Sequence, residues 1–484
     1  MKVLINMTNY TFATGNKSFY PGMKKLLFFL CLFSHVNMLS AQKLKKADRV
    51  IVDNLKKNIG YLSADKEEGR KVGTEGAQHA AGFIAESFKS IGILPKGDNG
   101  SYLQEFEIRN GKQINKRTMF IVNDKEMAVG KDYFPLAFSP NGSVPETAVA
   151  TSLAEKGVPW FMDIDPALEE HKDDPGFNVY EFIKNEAKKA YDKGATALVI
   201  YNTGDNKDNI TFNKKDSSAA AALPVFYLTK AGRQEYLKDA SATYDVRLAA
   251  DIGTSILKER NVIGYINNNA PSTIIIGAHY HHSGHREEDN AFKRQSKQEY
   301  HRTDDNASGA AAVIELARML KKSKARKNNY LLVAFSGAAS GWQGSKYFAE
   351  YPTVDLSAVN YMINMDRVGS MDDNEKALTI AGTGTSPDWN EIIYARKNIP
   401  FTIKADSGEA KPGDYLSFYR KNIPVLFFFT GYHSDAHNPA DDADKINYTG
   451  ELYIIKYIGN LIEDLNKRGK IAFTPAEEIS TAIK

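Results

Sequence analysis

Past residue 260 the chain repeats one unit: a nearly unbroken apolar run, a polar loop, then a stretch with helical spacing. The runs fall at residues 273–277, 330–336, 361–365 and 424–430. A strand that is apolar at every position, instead of at alternate ones, must be covered on both faces. Strands of that kind alternating with helices imply an α/β fold built on a doubly wound, mostly parallel sheet. The stretch after NASG places Val313, Leu316, Ala317 and Leu320 at helical spacing, which predicts a helix lying on that sheet. Upstream, Ala80, Phe83, Ile84, Phe88 and Ile91 share one helical face, with Thr74 as a cap and Gly92 as a stop. That helix leads into a mixed segment ending near Glu107.

Between residues 118 and 250 the texture changes. Short alternating runs, the turn-rich SPNGSVPET, one helical stretch near 182–191 and the apolar runs ATALVIY and LPVFYL predict an inserted, mainly β domain with few helices. The larger domain is then assembled from residues 42–117 and 251–484. The alternation past residue 260 is one of pattern only: the chain shows no internal sequence repeat and no low-complexity tract.

Lys and Arg together number 62 and Asp and Glu 59, a net charge of +3, so there is no basic field to argue for nucleic acid. Partners must be sought in sites. Near the N-terminus, Lys24-Lys25, the run LLFFLCLF and then LSAQ have the basic, apolar and small-residue order of a secretory signal. The run is well short of the roughly 20 residues a membrane span needs. Residues 1–41 are therefore expected to be an upstream extension plus a signal cleaved after Ala41, giving an exported, periplasmic or secreted protein with no membrane span after signal removal. The single cysteine, Cys31, lies inside that run, so a mature chain carries no disulfide and depends on its core.

Four polar residues stand just after the apolar runs or on adjoining loops: His279, Asp305, Asp366 and His437. In open α/β sheets the crevice outside the carboxyl ends of the strands is where ligands bind. Two imidazoles and two carboxylates converging there suit a divalent transition metal, zinc by preference. Each residue also admits a plainer role: a loop histidine at 279, a helix cap at Asp305, an ion pair between Asp366 and Arg367, an exposed turn residue at His437.

As a set, the motifs resemble the co-catalytic zinc aminopeptidase family that includes bacterial leucyl aminopeptidase, aminopeptidase Y and glutamate carboxypeptidase. The resemblance is carried by EGRKVGTEGAQHAAGFIAESFKSIGILP, GAHY, TDDNASGAAAVIELAR, LLVAFSG followed by GWQGSKYF, INMDRVG, and FYRKNIPVLFFFTG with HNPADDADKIN. The insert, with GATALVIY and LPVFYLTKAG, is similar to a protease-associated domain. The resemblance implies His279 and Asp366 on one zinc, His437 on the other, Asp305 bridging both, and a cis peptide at Asn306. It also implies a peptide or protein as substrate or ligand.

The chain departs from that pattern at the chemistry. Where the family carries Glu-Glu after LLVAFSG, the general base and a ligand of the second zinc, this sequence has Ala338-Ala339. Alanine neither accepts a proton nor binds a metal. The family's aspartate two residues after the first histidine, which orients that ligand, is His281. Its Ser-Asp-His is Gly413-Asp414-Tyr415, and the tyrosine before the last histidine is Ala436. Loss of a general base costs about 10²–10⁴ in rate, and loss of an orienting carboxylate about 10- to 100-fold. The expectation is an exported pseudopeptidase with no catalytic residue of its own at the base position, at most one tightly bound zinc, and retained binding of peptide or protein. The alternative is an active zinc metalloexopeptidase releasing N-terminal residues through a non-standard site, with His281, His282 or His285 as a replacement ligand.

Overall fold

The computed structural model describes residues 44–281, 303–406, 412–431 and 442–476. The chain divides into two compact units, Met1–Asn54 and Leu55–Lys484. The first contributes residues 44–54, which enter the helix Lys46–Leu62. All other described elements belong to the second.

The second unit is organised by a nine-stranded mixed sheet. Its strands are β1 (Leu94–Pro95), β2 (Leu103–Ile114), β3 (Ile252–Ile266), β4 (Thr273–His279), β5 (Asn329–Phe335), β6 (Val359–Asp366), β7 (Ala377–Ala381), β8 (Thr402–Asp406) and β9 (Val425–Phe429). The order is β1-β3-β5-β4-β6-β9-β7-β8, with β2 also paired to β3. The parallel part is central: β5, β4, β6 and β9 run the same way. Antiparallel pairings flank it, β3 with β5 on one side and β7 with β9 on the other. Every residue of β4, β5 and β9 is buried, as an apolar run without alternation requires.

Helix α1 (Glu75–Ile91) starts at Thr74, whose hydroxyl accepts from Ala77 N, and stops at Gly92 in the left-handed conformation with φ 77°. Helix α2 (Gly309–Lys322) follows the turn Thr303–Ser308; Val313, Leu316, Ala317 and Leu320 are buried. The chain leaves β4 through α2 to β5 on one side, and β6 lies on β4's other side. The carboxyl end of β4 is thus a point where the strand order reverses, the place in such sheets where a crevice opens. A core of Ile275, Leu331, Val333, Phe335, Met362, Phe418 and Phe427 lies against these strands.

Residues 119–250 form two four-stranded sheets of their own. One contains Met119–Val122, Lys125–Glu126, Gly142–Ala150 and Thr243–Ala250; the other, Tyr133–Pro135, Trp160–Asp163, Leu198–Tyr201 and Val225–Leu228. Phe120, Tyr133 and Phe226 lie in the core they share, the first two edge to face at 5.3 Å. The helix Val179–Asp192 buries Ile183, Ala187 and Ala190 in a second core with Leu198, Ile200 and Val225. Among the described residues no helix is long and apolar enough to cross a membrane.

Strand β2 runs further than the sequence suggests. β2 continues to Ile114 because β3 pairs with it along its length, from Val262 opposite Leu103 to Ile252 opposite Ile114. Its hydrogen-bond partners lie more than a hundred residues away, so local pattern alone does not reveal them.

Candidate metal centre

His279 is the last residue of β4 and Asp366 the last of β6. Asp305 lies in the irregular turn Thr303–Ser308 that leads into α2. Parallel pairing of β4 with β6 puts their carboxyl ends side by side, and the turn brings Asp305 over them. One ligand atom from each of the three lies within 4.8 Å of the others, and His279 and Asp305 are buried.

His279 is fixed from behind. Its Nδ1 is 2.9 Å from the backbone oxygen of His281. A carbonyl can only accept, so Nδ1 carries a proton in either charge state, and when the ring is neutral its Nε2 lone pair faces the carboxylates. Nε2 is 3.5 Å from Asp305 Oδ1 and 3.4 Å from Asp366 Oδ1. These separations are long for hydrogen bonds. They match the edge of a coordination tetrahedron, since two ligands about 2.0–2.1 Å from zinc stand about 3.3–3.4 Å apart. Asp366 Oδ1 is buried and makes no hydrogen bond. A buried carboxylate oxygen left without a donor is costly unless a cation meets it, so the donor set fits a metal ion.

The charge balance points the same way. Burial would pull the His279 imidazole down, but Asp366, Asp305 and Asp414 outweigh it and carry it up to about 9. Asp414, next to helix Tyr415–Tyr419, is itself pushed up to about 6, chiefly by burial and against the pull of His279. Three carboxylates around one imidazole leave an excess of negative charge that a divalent cation would neutralise.

Asn306 holds the turn in place. Its Nδ2 donates to Met365 O at 3.0 Å, while its Oδ1 accepts from Gly309 N at 2.9 Å and Arg367 N at 3.1 Å. The start of α2 is thereby tied to the end of β6. The peptide joining Asp305 to Asn306 is cis, as the resemblance implied. A Cβ on Gly309 would stand 2.4 Å from Asn306 Oδ1, so only glycine lets this clamp close.

His281, at the position of the family's orienting aspartate, turns into a separate buried network. Gly337 N donates to its Nδ1 at 3.1 Å, which places the neutral ring's proton on Nε2, 3.4 Å from Glu259 Oε2. Ser336 Oγ lies 2.8 Å from Nδ1 and donates to Glu259 at 2.7 Å. Glu259 Oε1 accepts from Gly73 N at 2.6 Å; burial nonetheless lifts its carboxyl above the ordinary range. His281 therefore supports His279 through its backbone carbonyl, with its side chain engaged elsewhere. Arg70, fully buried, donates from Nε to Tyr280 O at 2.7 Å and steadies the same loop from the front motif.

Ala338 and Ala339 occupy a short turn after β5, entered through Gly337 at φ 67°. Ala338 is buried and Ala339 exposed. Tyr415, at the position of the family's histidine, packs its ring into the sheet core, 5.1 Å from Phe427. The structure brings His279, Asp305 and Asp366 together; His437, His282, His285 and Ala436 lie outside the described residues. Sequence reasoning missed Arg70, Glu259 and Asp414, and it considered Arg367 only as a partner for Asp366. The structure shows its guanidinium hydrogen-bonded to Asp305. Arg70 lies in the charged run DKEEGRK and Glu259 in Lys258-Glu259-Arg260, so nothing local sets either apart or names its partners.

Residues 261–462 match peptidase family M28. That family's aminopeptidases are zinc-dependent and act on peptides, in keeping with the donor set at the end of β4. Solved structures similar to the chain include an aminopeptidase from Aneurinibacillus sp. strain AM-1, at 19% identity over 88% of this chain and 95% of that one, with a TM-score of 0.46. A zinc aminopeptidase from Bacillus subtilis is 16% identical over 88% and 98%, with a TM-score of 0.47. A peptidase M28 precursor from Shewanella amazonensis SB2B is 14% identical over 89% and 98%, at 0.44. No curated protein matches the chain by sequence.

Proposed function

We propose that this M28 protein is exported, that its peptidase activity is impaired or absent, and that it binds peptide or protein in the crevice at the end of β4 while holding at most one tightly bound zinc. The observation that carries the reading is the Ala338-Ala339 pair on the turn after β5, where two methyl groups stand in place of a base and a metal ligand. His279, Asp305 and Asp366 are the residues that would hold the zinc, and a bound ion would supply Lewis acidity toward a peptide carbonyl. The second zinc of the family would be left with Asp305 and His437 alone. Residues 118–250 are read as a protease-associated insert that adds surface for the bound partner.

The test is hydrolysis of aminoacyl reporter amides by the purified mature protein, with and without chelator, beside His279→Ala. Turnover at the level of the blank in all samples is expected. Robust turnover that is lost both with chelator and in His279→Ala would refute the impaired reading and show that another residue has taken over the base's work.

A further inference from the structure

Asp305 has two carboxylate oxygens with different neighbours. Oδ1 faces His279 Nε2 at 3.5 Å, on the side of the three-residue cluster. Oδ2 accepts a hydrogen bond from the Arg367 guanidinium. In a two-metal arrangement bridged by this aspartate, each oxygen would meet one ion; here an arginine already stands on one of them.

Arg367 is held there by its surroundings. Its side chain is 10% exposed, and its backbone takes the left-handed conformation at φ 48°. Its N–H donates to Asn306 Oδ1 at 3.1 Å, and its carbonyl accepts from Thr430 N at 3.1 Å and from the Thr430 hydroxyl. The guanidinium carbon lies 6.0 Å from the centre of the Phe429 ring. Both neighbouring loops thus fix the residue whose side chain reaches Asp305. An arginine in a protein does not lose its proton, so the positive charge is permanent. A second cation arriving at Oδ2 would have to displace the guanidinium and would be repelled by it.

We propose that Arg367 is a built-in cation that takes the second metal's place on Asp305 and makes the centre mononuclear. The proposal rests on the reading of His279, Asp305 and Asp366 as metal ligands. It adds that the one-metal state is enforced by Arg367 and would persist if the missing ligand at 339 were restored.

The experiment counts metal in four full-length mature proteins: the parent, Ala339→Glu, Ala339→Glu with Arg367→Gln, and Ala339→Glu with Arg367→Lys. Each is equilibrated with zinc and dialysed, then measured by elemental analysis, with a melting curve to show that it is folded. Cobalt-loaded samples give an independent readout, because two adjacent cobalt ions couple magnetically and one does not. One equivalent is expected in the parent, in Ala339→Glu and in the lysine double variant, which keeps the charge. Two are expected in the glutamine double variant alone. Two equivalents in Ala339→Glu, or one in the folded glutamine double variant, would overturn the role of Arg367. No bound metal in the folded parent would overturn the ligand reading beneath it, and the two failures are told apart by the parent's count.

Discussion

The His279 imidazole makes a quantitative demand on metal binding. In the metal-free centre its carboxylate neighbours carry it up to about 9, above the ordinary histidine value of about 6.5. Zinc takes the neutral ring, so below pH 9 binding must expel a proton. At pH 7 the ring is roughly two units below its midpoint. The cost is about 2 × 1.36, close to 3 kcal/mol, or about a 100-fold loss of apparent affinity relative to pH 9. The sign follows from the raised value: protonation competes with metal, so affinity climbs about tenfold per pH unit from 7 toward 9 and then levels off. Competition against a chromophoric chelator of known proton affinity measures this directly. Calorimetry at pH 7 in two buffers of different ionisation enthalpy should show about one proton released per zinc. An apparent affinity that changes less than about threefold between pH 7 and 9, with no proton release, would refute the electrostatic account of the site.

Two further outcomes follow from buried polar groups away from the ligand atoms. His281→Ala removes the acceptor of Gly337 N and leaves the buried Glu259 with one neighbour fewer. It should cost about 1–3 kcal/mol in denaturant unfolding, and a variant as stable as the parent would show that the network is not holding the loop. Glu451, on the helix Tyr448–Leu465, is fully buried with no hydrogen bond to its carboxyl, and burial, then Asp304 and Glu315, push it well above the ordinary range. A raised folded-state value contributes stability that is complete below about pH 4.5 and is lost as pH rises through that value. Glu451→Gln should therefore melt with the parent near pH 4 and above it at pH 8; equal melting temperatures at both would contradict the burial argument.

How far the sequence alone could reach depended on whether the governing interactions were local. The helix from Glu75 to Ile91 was readable at both ends because Thr74 and Gly92 act within a turn of where they stand. The parallel strands were readable because being covered on two faces leaves a mark on every residue of β4, β5 and β9. His279, Asp305 and Asp366 could be selected as a group because each closes a strand or opens a helix beside one crevice. The far end of β2, the engagement of His281 with Glu259 and the bond from Arg367 to Asp305 were not readable in the same way. Each depends on a partner dozens to more than a hundred residues distant, or, for Arg367, on a left-handed backbone that carries the side chain past its sequence neighbour. The departure at Ala338-Ala339 was plain in the sequence, yet the reason His281 does not fill the gap appears only once Ser336 and Gly337 are seen around its ring.

The paired course of β2 and β3 has an architectural consequence. Ile114 and Ile252 stand opposite each other at the far end of a two-stranded ribbon, so the chain departs and returns through neighbouring positions. Seen from the large sheet, everything between them is the tip of a hairpin. The entropy of closing a loop grows only with the logarithm of its length, so such a tip can swell to hold two sheets and three helices with little added burden on the strands beneath. The same geometry makes the ribbon a stalk. A load or a bound partner at residues 119–250 is transmitted to the sheet through two strands, one of which carries Glu259 and packs beside the loop that orients His279.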